Sequence, residues 1–362
     1  MRALVLSGGT GSRLRPFTHS LPKQLIPVAN TPVLVHVLRN LRRLGIDEIG
    51  IIVGDTRAEI EAALGNGAGH GVRITYIHQE APLGLAHCVT IAEDFLGDED
   101  FVMYLGDNVL PDGIEPAADR FREERPDALI LVTKVPDPQA FGVAELTDGD
   151  RVSALVEKPE RPRSDLAVMG VYFFTSKIHA ATRAIAPSAR GELEITDAIQ
   201  HLVERGGDVV GHRYDGYWKD TGNIEDLLEC NRVVLDRLEA EVRGEVDESS
   251  VLTGTVVVEP GAVVTGSRVA GPAVIGRGSR ISGCRIGPYT AVGPDCALTD
   301  SSLGDSIILE GASVQGVQGL RGSLVGRWAR VRAEAEEACA GRFGGTDRRL
   351  LVGDHSRVEG SA

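Results

Sequence analysis

Acidic side chains are absent from the first 46 residues, although the chain as a whole carries a formal charge of -14. That overall acidity argues against a nucleic-acid or anionic-membrane partner, because binding to such surfaces is dominated by basic charge. Paired cysteines are absent too. Cys88, Cys230, Cys284, Cys296 and Cys339 are scattered, with no C-x-x-C among them. This excludes a disulfide framework or zinc site and predicts reduced thiols in a cytoplasmic protein. No secretory signal precedes the first apolar segment and no apolar run approaches ~20 residues, so no membrane-spanning helix is expected. None of the nine histidines falls within 251–331 or pairs suggestively with a nearby serine or cysteine, so no hydrolase triad is legible. What remains is a soluble chain of 362 residues, 42% hydrophobic and 25% charged, long enough for two domains with buried cores.

The acid-free opening is rich in positive charge: Arg2, Arg13, Arg15, Lys23, Arg39, Arg42 and Arg43 precede the first carboxylate, Asp47. Within it, Ser7-Gly8-Gly9-Thr10-Gly11-Ser12-Arg13-Leu14-Arg15-Pro16 follows the apolar run Ala3–Leu6. A glycine-rich turn at a strand end offers backbone N–H groups with no Cβ in the way, and arginine adds forked, permanently charged donors. The pattern points to a polyphosphate, a nucleoside triphosphate, with Lys23 as a second phosphate contact. It is not a dinucleotide fingerprint: Leu14 stands where a third glycine belongs, and no acid follows for more than 30 residues.

The first two-thirds of the chain alternate strand-like segments (2–6, 49–53, 72–77, 101–105, 128–133) with helix-like ones (56–64, 84–96, 114–124). A further helix is expected to open at Thr31-Pro32, with stripe Leu34, Leu38, Leu41 and Leu44 and a stop at Gly45. Such alternation predicts an α/β domain with a Rossmann-like, mostly parallel sheet whose ligands lie beyond the carboxyl ends of the strands. After about residue 250 the pattern changes. Val251, Val257, Val263, Val269, Ile275 and Ile281 recur every six residues; the frame then slips to Ile286, Val292 and Leu298, and again to Leu303 and Leu309. A period of six with an inward aliphatic predicts a parallel β-helix of hexapeptide repeats. A helix over 224–242, with Leu227, Leu228, Val234, Leu235 and Leu238 buried, would join the parts. The expected domains are therefore 1–242 and 243–362. Residues 332–349 break the period and read as an excursion.

Three further motifs carry chemistry. Asp107, in Leu105-Gly106-Asp107-Asn108, is a hard oxygen ligand placed just after a strand, suited to Mg²⁺ shared with substrate phosphates. Asp220, in Trp218-Lys219-Asp220-Thr221-Gly222, is either a second metal ligand or a cap for the helix starting near Asn223. At the end of another strand, Glu157 is placed to accept bonds from sugar hydroxyls and Lys158 to pair with a sugar phosphate. Residues 187–197 read as a loop leading to a helix capped by Thr196 or Asp197.

Taken together, these motifs resemble the sugar-1-phosphate nucleotidylyltransferases. The match runs in order through Leu6–Pro16, Lys23-Gln24-Leu25-x-Pro27-Val28, Pro82–Ala86, Leu105–Asn108, Phe141-Gly142-Val143, Glu157-Lys158-Pro159, Gly191–Asp197 and Trp218-x-Asp220-Thr221-Gly222. It is most similar to the long thymidylyl form, which carries a left-handed β-helix tail. The resemblance implies dTTP and glucose 1-phosphate as substrates, and a nucleotide site built from Gly8, Gly9, Gly11, Ser12, Arg13 and Lys23, with Gln79 and Gly84 on the base. It further implies Mg²⁺ on Asp107 and Asp220, and a sugar-phosphate side lined by Asn108, Gly142, Glu157, Lys158 and Gly170. Arg13, Lys23 and Lys158 would be the catalytic cations. Thr31, where a lysine commonly stands, and Met169, near the sugar contact, keep other triphosphates (UTP, ATP, GTP) and a cyclitol phosphate open. An acyltransferase role for the β-helix is disfavoured because 251–331 holds neither histidine nor lysine, and the intact charged set disfavours a silent regulatory subunit. A homo-oligomer is expected, since the open end of a β-helix needs covering.

Overall fold

The computed structural model describes residues 1–9, 11–333 and 347–360. One compact unit is Met1–Gly9 with Val33–Asp220; the other is Thr10–Pro32 with Thr221–Ala362. No helix among the described residues is long and apolar enough to cross a membrane.

The first unit is built on a nine-stranded sheet. Its parallel part runs Phe101–Leu105, Arg2–Leu6, Glu48–Val53, Arg73–His78, with Leu6 opposite Leu105 on one side and Ile52 on the other. These strands are the ones expected; the first three form because their apolar residues are covered on both faces, whereas Arg73–His78, at the sheet edge, holds no buried residue. Leu4, Phe101 and Met103 are fully buried in a cluster that also takes in Ala86, Val89 and Leu96 of the covering helices. The other part was not foreseen as antiparallel. Leu166–Phe174 runs opposite to both Phe101–Leu105 and Ala128–Lys134, and Gly142–Leu146 pairs with Val152–Glu157. Helices α1 (Val33–Arg43), α2 (Arg57–Leu64), α3 (Leu85–Ile91), α4 (Glu93–Leu96), α5 (Glu115–Glu124), α6 (Ile178–Ala184) and α7 (Ile195–Glu204) belong to this unit.

Three expected boundaries are corrected. Thr31-Pro32 does not open a helix: it pairs antiparallel with Pro27-Val28 across Ala29 and Asn30, both at positive φ, and α1 starts at Val33. The single helix expected over 84–96 is two, α3 and α4, with a break at Ala92. Neither Thr196 nor Asp197 caps α7; the cap position is Glu194, and both expected residues lie in the first turn.

In the second unit, α8 (Ile224–Leu235) ends before the expected residue 242, and Glu241-Val242 is already a strand. A parallel β-helix follows, as expected, its three sheets formed by strands stacked coil on coil. In most coils partners lie seventeen residues apart, with Leu252, Val269, Ile286 and Leu303 each opposite the next, while Val292 and Ile308, and Leu298 and Val314, are paired at sixteen. With seventeen residues per coil, a strict period of six must lose one residue each turn. The expected inward residues Val269, Ile275, Ile281, Ile286, Val292, Leu298 and Leu303 do form the interior. Val257, Val263 and Leu309 do not; Val258, Val264 and Ile308 take those places, and Val251 is exposed. Buried serines satisfy the corners: the Ser267, Ser279 and Ser301 hydroxyls each accept from a backbone N–H in the next coil, those of Cys284, Cys296 and Val317. The excursion expected at 332–349 falls mostly outside the described residues. Leu298 is fully buried among these aliphatics, so Leu298→Ala should cost about 2–5 kcal/mol of stability, read as a lower Tm in a thermal melt.

Segment 11–32 belongs to the β-helix unit through specific bonds. The Asn231 side chain on α8 accepts from Ala29 N (2.9 Å) and donates to Tyr289 O (3.1 Å). Asn30 donates to Val292 O, Arg327 donates to Ser20 O, and the Ser20 hydroxyl donates to Asp354.

Candidate active site

Within the first unit, the strand ends carry the expected residues. Arg2–Leu6 and Phe101–Leu105 are adjacent and parallel, so Ser7-Gly8 and Gly106-Asp107 leave the sheet side by side, tied by Gly106 N donating to Leu6 O (2.9 Å). Gly8 also lies near Gln79: a Cβ at Gly8 would sit 3.6 Å from Gln79 Oε1. The Gln79 amide nitrogen is 3.3 Å from Gly84 O and 3.1 Å from His87 Nδ1. Gly84 is fixed by its surroundings. Its φ is +101°, and a Cβ there would fall 2.3 Å from Leu193 O. Leu193 N donates to Leu83 O and Ala86 N donates to Leu193 O, which locks the loop to the start of α7. Burial pushes the neighbouring Cys88 thiol up to about 12, although a hydrogen bond with Gln79 works against this. The thiol is therefore neutral at physiological pH.

Asp107 and Asp220 are brought together. Lys219-Asp220 pairs antiparallel with Asn108-Val109, placing Asp220 opposite Asn108, the residue after Asp107. The alternative role of Asp220 as a helix cap is not the one taken: Asn223 caps α8, its side chain accepting from Asp226 N (2.9 Å). Asp107, in the turn just before Asn108, and Asp220, on the strand facing it, are a hard-oxygen donor pair that fits a divalent cation, and no cluster of three or more His, Cys, Asp or Glu exists among the described residues. Substrate phosphates would complete such an ion's oxygen shell. Asn108 is buried and donates to Met169 O (2.7 Å). Gly170 follows at φ +77°, where a Cβ would meet Asn108 Nδ2 at 2.6 Å, so the chain passes Asn108 only because position 170 has no side chain.

Gly142 and Glu157 are directly paired across two strands, and Lys158, at φ +42°, ends the second. The Glu157 carboxylate is 3.6 Å from Lys158 Nζ and 3.8 Å from Arg190, and it accepts from the Thr196 hydroxyl (3.3 Å). The loop 187–197, expected to be structural, thus supplies partners to the Glu157 carboxylate. Burial alone would lower the Arg190 guanidinium, but Glu192, Glu194 and Glu157 together raise it. Only the sequence proximity of Arg190 to the matched Gly191–Asp197 stretch pointed to it, because its contact with Glu157 is long-range. Arg190→Met should raise the KM for the sugar phosphate about two- to fivefold, as for a partly exposed ion pair, and leave the nucleotide KM unchanged in initial-rate kinetics.

In the second unit, Gly11 is at φ +62° and a Cβ there would lie 3.0 Å from Lys23 Cβ, so the Lys23 stem packs onto the glycine turn. Ser12–Leu14 is a 3₁₀ turn anchored by fully buried Leu14 and Phe17. Arg13 and Arg15 point outward and are exposed.

The chain matches the nucleotidyl transferase family model over residues 2–237. It is 52% identical over 359 residues to a glucose-1-phosphate thymidylyltransferase from Streptomyces griseus, with 99% of each chain covered. It is 53% identical over 360 residues to one from Streptomyces antibioticus, again with 99% of each covered. Among solved structures, a putative glucose-1-phosphate thymidylyltransferase from Bacillus anthracis in complex with a sucrose matches with a TM-score of 0.62 and 36% identity, covering 67% of this chain and 98% of that one.

Proposed function

The chain belongs to the nucleotidyl transferase family, and from that premise we propose that it transfers the thymidylyl group of dTTP to glucose 1-phosphate, giving dTDP-glucose and pyrophosphate. It is an enzyme, a sugar-1-phosphate nucleotidylyltransferase. The observation that carries the reading is similarity along the full length, β-helix included, to two glucose-1-phosphate thymidylyltransferases.

A phosphate oxygen of glucose 1-phosphate attacks the α-phosphorus of dTTP. The new P–O bond forms as the bond to the β-phosphate oxygen breaks, and that electron pair leaves with pyrophosphate. The attacking oxygen is ionised near neutral pH, so the chain supplies no general base. Its work is positioning and charge neutralisation, and positioning is worth about 7–11 kcal/mol in well-oriented systems. In this reading the Gly8, Gly9, Gly11 and Ser12 backbone cradles the triphosphate, and Arg13 and Lys23 neutralise it and the departing pyrophosphate. Gln79 and Gly84 meet the base. Lys158 steers the attacking phosphate, Glu157 accepts from sugar hydroxyls, and Asn108, Gly142 and Gly170 shape the sugar side. Asp107 and Asp220 would hold Mg²⁺, which when bound supplies positive charge to the phosphate oxygens.

The buried cysteine side chains Cys88, Cys230, Cys284 and Cys296 support a cytoplasmic setting. Val251, Trp328 and Leu351, large apolar side chains exposed on the β-helix, support self-association into a homo-oligomer. Pyrophosphate release with Mg²⁺, crossing dTTP, UTP, ATP and GTP against sugar and cyclitol 1-phosphates, tests the substrate assignment. The highest kcat/KM is expected for dTTP with glucose 1-phosphate; a higher value for any other pair would overturn it.

A further inference from the structure

We propose that His87 is a positioning residue that fixes which end of the Gln79 amide meets the nucleotide base, and so sets the preference for a base carrying a ring N–H. The proposal rests on the reading that Gln79 contacts the base.

Gln79 directly follows the edge strand Arg73–His78, and its own N–H is held by Val53 O (2.9 Å). Its side-chain nitrogen is 3.3 Å from Gly84 O. A backbone carbonyl has no proton to give, so the amide must present NH₂ to it. The same nitrogen lies 3.1 Å from His87 Nδ1. That ring nitrogen therefore acts as an acceptor, which makes His87 the neutral tautomer protonated at Nε2. The two amide protons are then shared among protein groups, Gly84 O, His87 Nδ1 and the Cys88 sulfur. Oε1 is the atom left to face a ligand, and it lies on the Gly8 side of the amide. His87 occupies the first turn of α3, and Gly84 is immobilised by Leu193, so the two acceptors form a rigid socket for the NH₂ group.

An outward carbonyl oxygen accepts and cannot donate. Thymine and uracil present N3–H and pair with it. Cytosine presents a lone pair at N3 and meets it oxygen against nitrogen. A buried polar site discriminates strongly against a ligand that leaves its groups mispaired. An acceptor at position 87 thus holds the amide in the orientation that selects an imide base, whereas a donor there would attract Oε1 and turn the NH₂ group toward the base.

The test compares kcat/KM for dTTP and dCTP, with glucose 1-phosphate and Mg²⁺, in the full-length enzyme and its His87→Asn, His87→Lys, His87→Met and Gln79→Ala variants. His87→Asn, whose amide oxygen can replace Nδ1, should keep the dTTP-over-dCTP ratio within about threefold. His87→Lys should lower kcat/KM for dTTP about tenfold or more through the nucleotide KM, narrow the ratio, and leave the glucose 1-phosphate KM unchanged. Should His87→Lys fail to fold, His87→Met, which offers no proton acceptor of comparable strength, decides the matter by narrowing the ratio. If Gln79→Ala collapses the ratio while His87→Lys or His87→Met leaves it intact, or lowers both nucleotides equally, the proposal is overturned and the base contact of Gln79 stands. If Gln79→Ala leaves the ratio intact, the base-contact reading itself falls and the proposal with it.

Discussion

Arg13→Ala is expected to lower kcat/KM for thymidylyl transfer by about 10³-fold or more, the scale of arginines that stabilise phosphoryl-transfer transition states. The expectation follows from what Arg13 does not do for the fold. Its side chain is exposed on a 3₁₀ turn that Leu14 and Phe17 hold from beneath. Among the described residues it has no ion-pair partner, in a protein where Arg2, Arg57, Arg120, Arg183, Arg232 and Arg327 all do. An unneutralised guanidinium on an acidic protein implies an anionic partner from outside the chain. Removing it should leave Tm unchanged and act on turnover. Arg13→Lys should recover only part of the loss, since an ammonium keeps the charge but not the forked geometry. Steady-state pyrophosphate release checks both. A loss smaller than tenfold in Arg13→Ala would remove Arg13 from the catalytic set.

Gly84→Ala is expected to be nearly as damaging by a different route. At φ +101° an alanine is strained by about 1–3 kcal/mol. Its Cβ would also fall within 2.8 Å of the Leu193 N, C and O atoms, backbone atoms that cannot swing aside as a side chain would. The loop must therefore move away from Leu193, carrying Gly84 O off the Gln79 amide. Displacements of ~1 Å at a substrate-positioning loop cost about 10²-fold in rate. The loss should appear mainly in the nucleotide KM, with a lowered Tm. Gly65→Ala is the control: its φ of +57° is also positive, but a Cβ there meets nothing within 4 Å, so it should lower stability without touching the nucleotide KM.

Local signals were the ones legible in the sequence. Ala3–Leu6 and Phe101–Leu105 are apolar throughout because both faces of a parallel strand are covered, and hydropathy alone locates them. The six-residue period likewise revealed the β-helix. The frame error at Val257, Val263 and Leu309 arose because Val256-Val257-Val258 and Ile307-Ile308-Leu309 are apolar at every position, so hydropathy could not choose the inward residue. Which residues share a site depends on pairing across the chain, and that is written less locally. That Asp220 faces Asn108 while Asn223 caps α8 depends on a pairing between residues more than 100 positions apart. Arg190 reads as a loop cation until Glu157 is placed beside it. His87 reads as one more polar residue in an amphipathic helix until the Gln79 amide is seen to need an acceptor. Thr31-Pro32 looked like a helix start because a cap residue followed by proline is the usual signal. The hairpin with Pro27-Val28 prevails because Ala29 is held in its turn by Asn231, 202 positions away.

The central claim is direct transfer of the thymidylyl group to a sugar phosphate. The most direct test is ³¹P NMR of the purified protein mixed with dTTP, glucose 1-phosphate and Mg²⁺. The account predicts two mutually coupled diphosphate resonances of dTDP-glucose, growing one for one with pyrophosphate as both substrates are consumed. Unchanged substrates, or dTDP and dTMP with free phosphate and no sugar nucleotide, would contradict it.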